Sequence, residues 1–161
     1  MKALIKCRSL IIDEVCSASE DTIEALCEKF NNEKSIEACL ELLADQEFNA
    51  QSPHFKDIEE YRPSYKGSLF MILSKLVQSV DVNYLKGHIN SLLEAISESM
   101  NDSEIEIRKA ALDSLVSLYY IYNENNTTRT EKGEEFLNIM DNYLTLPQKR
   151  ILEIYIQRFE F

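Results

Sequence analysis

The residues best suited to recognition chemistry are Tyr61, Arg62, Tyr65, Lys66, Asn101, Arg108 and Lys109. Tyr and Arg dominate binding energy at protein interfaces because each joins a broad contact area to directional donors. Lys and Asn add charge and amide hydrogen bonds. The chemistry expected of this set is therefore non-covalent capture of another protein. Catalytic chemistry has little to start from. His54 and His88 stand far apart with no Ser, Cys or paired carboxylate at a supporting spacing. The sequence contains no Gly-rich phosphate loop, HExxH or Walker motif. Cys7, Cys16, Cys27 and Cys39 lie eight or more residues apart, without CxxC pairs, which fits free thiols in helix cores rather than a zinc site or a disulfide scaffold. No catalytic, cofactor-binding or metal-ligating residue is expected.

The elements that must position the recognition residues are helices. Three Gly and three Pro among 161 residues leave few turn formers for a many-stranded fold, and 45% hydrophobic residues can fill one core. Residues 101–122 give the clearest helix: Asp102 or Ser103 is placed to cap it, and Glu104 and Glu106 suit the positive end of its dipole. Ile107, Ala111, Leu115, Leu118 and Tyr122 form its main stripe, widened by Leu112, Val116 and Tyr119, so it must be covered on two sides. Residues 82–100, with Leu85, Ile89, Leu92, Leu93, Ile96 and Met100, join it through a turn short enough to force an antiparallel hairpin. Residues 63–80 form a second helix that is apolar nearly all round, with Pro63 in its first turn.

Further helices are expected at 2–16 (Leu4, Leu10, Ile11 and Val15 inward), 19–30 (capped by Ser19 or Asp21, with Ile23, Leu26, Cys27 and Phe30 inward) and 35–45 (Ile36, Cys39, Leu40 and Leu43 inward). Two more are expected at 135–144 (Phe136, Ile139, Met140 and Tyr143) and 147–159 (Ile151, Leu152, Ile154, Tyr155 and Phe159). Residues 46–62 read as a long connection with one short helical turn, and 123–134 as a polar loop. The result is a single all-α domain over 1–161: eight helices in four antiparallel hairpins, stacked sideways as in a solenoid. In such a stack the connection ending at 61–66 and the turn at 101–103 lie along one edge, which brings the recognition residues together. The alternative is that the tyrosines among them only cover the core.

A net charge of −11 excludes general affinity for nucleic acid or anionic membrane, both of which need a basic surface. No apolar run approaches the length of a membrane span, and Lys6 and Arg8 interrupt the N-terminal apolar positions, so a soluble cytosolic or nuclear chain is expected.

Two stretches carry a family resemblance. RILEIYIQRF at 150–159 and NDSEIEIRKAALDSLVSLY at 101–119 resemble the C-terminal domain of the CLASP family of microtubule regulators. That family closes on a basic-Leu-Leu-x-Leu-Tyr-Ile-x-Arg helix, matched by Arg150, Ile151, Leu152, Ile154, Tyr155, Ile156 and Arg158. Its Ser-Val-Arg-Lys-Ala helix start is matched by Ile107, Arg108, Lys109 and Ala110. The likeness covers about the last 80 residues, and the Asn-rich 123–126 suits a budding-yeast member.

The resemblance implies a TOG-like HEAT-repeat array, cut from a longer protein, that docks kinetochore and spindle-midzone proteins through short helical or peptide segments. It places the chain at the mitotic spindle and kinetochore, in the cytoplasm or, in yeast, the nucleus. A second copy of the chain is a further candidate partner. It also implies that Arg108 pairs with an Asp of a neighbouring repeat, the other reading being direct partner contact. The competing function is direct tubulin binding as a TOG domain. Against it stand the absence of Trp, which tubulin-binding members place in their first inter-helix loop, and the net negative charge.

Overall fold

The computed structural model describes residues 1–10, 13–29, 32–53, 63–124 and 131–159. Among these the chain is helical throughout, in the order α1 (Lys2–Arg8), α2 (Asp13–Lys29), α3 (Asn32–Ala44), α4 (Gln46–Ala50), α5 (Tyr65–Val77), α6 (Val82–Ser99), α7 (Ile105–Glu124), α8 (Glu131–Asp141) and α9 (Leu146–Phe159). That is nine helices where eight are expected; the ninth, α4, is the short turn anticipated between 46 and 62.

Packing is pairwise and repeated, in a solenoid-like row. α3 pairs with α5 and α6 with α7, and the two pairs lie side by side. The inner helices α5 and α7 make the most extensive contact in the molecule, and the outer helices α3 and α6 also touch. At one end α1 and α2 pack on each other and on α5; at the other, α8 and α9 both rest on α7.

The sequence explains the inner position of α5. Leu69, Phe70, Ile72, Leu73, Leu76 and Val77 are fully buried and spread over a broad arc of the helix, so α5 must be covered by several neighbours, while Lys75 keeps its remaining side at the surface. Each such side chain removed from water contributes about 1.5–3 kcal/mol. On α7, Ile107, Ala111, Leu112, Leu115, Leu118 and Tyr122 are buried. The stripe expected on α6 is buried in full. Tyr122 stacks on Phe136 with ring centroids 4.4 Å apart, fastening α8 to α7. Tyr119 and Tyr120 are half-buried, in keeping with three tyrosines on more than one side of a helix.

Several boundaries and faces differ from expectation. The first helix ends at Arg8, not residue 16. Its terminal Ser9 hydroxyl is captured by the Pro63 carbonyl at 2.6 Å, and the Cys16 thiol, on the next helix, donates to the Arg8 carbonyl at 3.0 Å. Ser19 is therefore no cap; it lies inside α2 with its hydroxyl donating to the Cys16 carbonyl. Leu10, expected inward, is exposed, while Ile5 carries the buried contact of α1. Ile11 and Phe30 lie outside the described residues, as do His54, residues 125–130 of the expected polar loop, and Phe161.

Pro63 precedes rather than opens its helix: Ser64 is the cap, its hydroxyl accepting from the Gly67 N–H at 3.0 Å. In α9 the buried face carries Leu152 and Ile156, whereas Ile151 and Ile154 are exposed. The sequence offers both stripes, and only the position of α7 selects between them.

Truncation of the inner layer is expected to be far costlier than truncation at the surface. Leu115→Ala should lower unfolding free energy by about 2–5 kcal/mol, whereas Ile105→Ala, at a residue 74% exposed, should stay within about 0.5 kcal/mol. Urea denaturation of the two variants checks this, and similar losses in both would contradict the burial pattern.

Candidate protein-docking groove

The edge that carries the α6–α7 turn is built from a small set of polar contacts. Asp102 turns its carboxylate back on the chain, accepting from the Glu104 N–H at 3.1 Å. The Arg108 guanidinium, from the first turn of α7, donates to the carbonyls of Asp102 and Ser103 at 2.7 and 2.9 Å. From α5, the Lys66 ammonium reaches the Asp102 carboxylate at 3.4 Å. Glu106, also on α7, lies across the start of α5, 3.4 Å from the Ser64 N–H. A side chain at Gly67 would meet it, because a Cβ there would stand 2.7 Å from Glu106 Oε1. A carboxylate of one inner helix thus sits at the N-terminus of the other, where free N–H groups and the helix dipole favour negative charge.

The expected recognition residues are distributed unevenly. Tyr65 is buried and stacked on Phe48 with centroids 4.9 Å apart, so it covers the core. Lys66 and Arg108 are half-buried and engaged within the chain, and Asn101 and Lys109 are exposed. Tyr61 and Arg62 lie outside the described residues. Among the described residues Arg108 meets no Asp carboxylate of a neighbouring repeat; it secures its own turn. At this edge an ion pair between adjacent hairpins runs from Lys66 to Asp102. The guanidinium is held by two nearby carbonyls because the turn ends one helical turn before it, within reach of its planar fork.

Beside this edge lies an open groove of about 870 Å3, between the C-terminal ends of α3 and α6 and bounded by α4 and the α6–α7 turn. Half-buried Leu40, Leu43 and Ala95 and buried Ile107 supply its apolar surface. Exposed Glu94 and Glu98 stand along α6. With Asp102 and Glu104 they make four carboxylates among the described lining residues, against the single ammonium of Lys66. Sequence reasoning missed this acidic wall. Its signal is present, since Ser91, Glu94, Ala95 and Glu98 recur at helical spacing on the side of α6 away from Leu92, Leu93 and Ile96.

Several other titratable groups lie at helix contacts. The Arg8 guanidinium, 12% exposed, joins three helices by donating to Glu20 at 2.9 Å and to the Ser68 hydroxyl at 2.7 Å. His88 lies 3.9 Å from Glu37 and against the Tyr84 ring, on the seam between α3 and α6. Burial pushes the Cys39 thiol up to about 12 and also raises Cys27. Among the described residues no group of His, Cys, Asp and Glu could hold a metal ion, and no helix is long and apolar enough to cross a membrane.

Two outcomes follow from these contacts. Gly67→Ala should cost about 1 kcal/mol in the parent, because Glu106 must leave the α5 N-terminus. In a Glu106→Ala background the loss should be smaller, since only the Ser64 hydroxyl, 3.0 Å from that Cβ, must still give way and Ala is the better helix former by about 0.5–1 kcal/mol. Urea unfolding of the four-member cycle reads the coupling, and additive losses would contradict it. Burial keeps the Cys39 thiol protonated at pH 8. Cys39 should therefore resist iodoacetamide in the folded chain and react at the rate of unfolding; mass mapping showing early Cys39 labelling would contradict its burial. Neither a protein-family model nor a curated protein matches the chain.

Proposed function

We propose that this chain is a non-catalytic docking domain, a TOG-like HEAT array of the kind that closes CLASP-type microtubule regulators. Its role would be to recruit other kinetochore and spindle-midzone proteins at the mitotic spindle. The observation that carries this reading is the stacking of helical hairpins around two inner helices whose apolar faces are buried, which leaves a turn edge and a groove on a pre-ordered frame. A pre-ordered surface captures a partner without an ordering cost of its own. The resemblance of 101–119 and 150–159 to the CLASP C-terminal domain supplies the biological setting. The charge of −11 argues against direct capture of acidic tubulin, and equally against nucleic acid and anionic membrane.

The test has two arms. In affinity capture from mitotic extract, the chain should recover kinetochore or midzone proteins identifiable by mass spectrometry. Asn101→Ala/Lys109→Ala, at exposed positions of the turn edge, should reduce that recovery severalfold while circular dichroism shows the chain still folded. In cosedimentation at physiological salt, the chain should stay in the supernatant with microtubules. Saturable pelleting on microtubules, or the absence of spindle proteins from the captured set, would overturn the reading.

A further inference from the structure

We propose that the groove between α3 and α6 receives a single amphipathic helix of a partner protein, one that carries Lys or Arg beside an apolar stripe. The inference rests on the docking reading and names the chemistry of its ligand.

Three observations point to this occupant. First, the groove offers two surfaces at once: Leu40, Leu43, Ala95 and Ile107 are apolar, and Glu94 and Glu98 are exposed carboxylates alongside them. An apolar helix face needs the first, and cations flanking that face need the second. Second, the charge balance of the lining is one-sided. Lys66, the one ammonium among the described lining residues, is already turned to Asp102, so those residues set no unengaged positive charge against an incoming cation. An incoming acidic segment would face carboxylates on α6 with nothing to offset them.

Third, the dimensions suit a helix. Ser91 to Glu98 covers about 10 Å of helix axis, and the α6–α7 turn extends the wall further, which matches roughly three turns of a docked helix. The walls are also fixed. The Asp45 carboxylate caps α4 through the Phe48 N–H at 2.9 Å, Asn49 donates to the carbonyls of Leu42, Leu43 and Asp45, and Arg108 and Lys66 secure the far turn.

The probe is a fluorescein-labelled synthetic peptide of about 18 residues, with Leu at helical i, i+3, i+4, i+7 spacing and Lys or Arg on both flanks. A scrambled peptide of identical composition carries the same charge without the stripe, and so measures the general attraction of an acidic protein. Binding to the full 161-residue chain is read by fluorescence anisotropy at low and physiological salt, with folding followed by circular dichroism.

The helical peptide should bind at least about tenfold more tightly than the scrambled one, and Glu94→Lys/Glu98→Lys should remove about that factor. Ala95→Trp, which fills the apolar part, should do the same without changing charge. Glu153→Lys, exposed on distant α9, should leave binding unchanged. Equal affinity for the scrambled peptide, equal weakening by Glu153→Lys, or insensitivity to both groove variants would each overturn the proposal.

Failure here and failure of the docking reading are separable. If Glu94→Lys/Glu98→Lys abolishes peptide binding but still recovers spindle partners, the groove is not where they dock and the helix-in-groove inference falls alone. If the peptide binds as described but no spindle partner is recovered, the setting falls and the groove chemistry stands.

Discussion

The close approach of α5 and α7 is the contact on which the rest of the molecule depends. Both helices are apolar on more than one face, so neither is stable in water unless enclosed, and each forms one wall of the other's enclosure. Small groups let them meet. Ala111 and Ser114 are buried on α7, and the Ser114 hydroxyl donates across the interface to the Phe70 carbonyl at 2.9 Å. Gly67 leaves room for the Glu106 carboxylate at the head of α5. With that pair formed, α3 and α6 cover its outer side, α1 and α2 close one end, and α8 and α9 close the other. Stability in such a row is a sum over neighbouring units, and the inner pair supplies the largest part of it.

The groove is a by-product of that arrangement. Outer helices can touch along only part of their length when a short helix and a tight hairpin turn stand at their ends. The space left is walled by whatever those ends carry, here carboxylates on α6 and leucines on α3. Two cations beside the groove are occupied. Arg108 secures the turn and Lys66 answers Asp102, so the α6 wall of the groove meets a partner with the negative charge of Glu94 and Glu98. Exposed pairs of this kind contribute little to stability, but their sign governs which partners approach.

What the sequence disclosed follows physical lines. The central helices were legible because their apolar residues repeat over four or five turns and because Asp102, which accepts from the Glu104 N–H, marks the start of α7; the caps Ser64 and Asp81 carry the same kind of signal and were not read. The hairpin of α6 and α7 followed from a turn too short for any other path. Long-range contacts were not legible. The end of α1 is set by a hydroxyl meeting the Pro63 carbonyl 54 residues away, and nothing near Ser9 announces it. The face of α9 was ambiguous because Ile151 and Ile154 compete with Leu152 and Ile156 on hydrophobicity alone. In the candidate site, residue type misled: Tyr and Arg suggest hot spots, yet Tyr65 serves the core and Arg108 the turn, while the exposed glutamates of α6 look like ordinary solvated charge.

Native-state hydrogen exchange tests the central claim most directly, because it reports the opening free energy of each helix separately. If α5 and α7 enclose one another, their core amides should share the highest opening free energy in the chain, equal to that of global unfolding, with α1 and α8 opening at lower cost. If α7 exchanges well before α5, or the terminal helices prove as protected as the inner pair, the two inner helices do not hold the molecule together and the account fails.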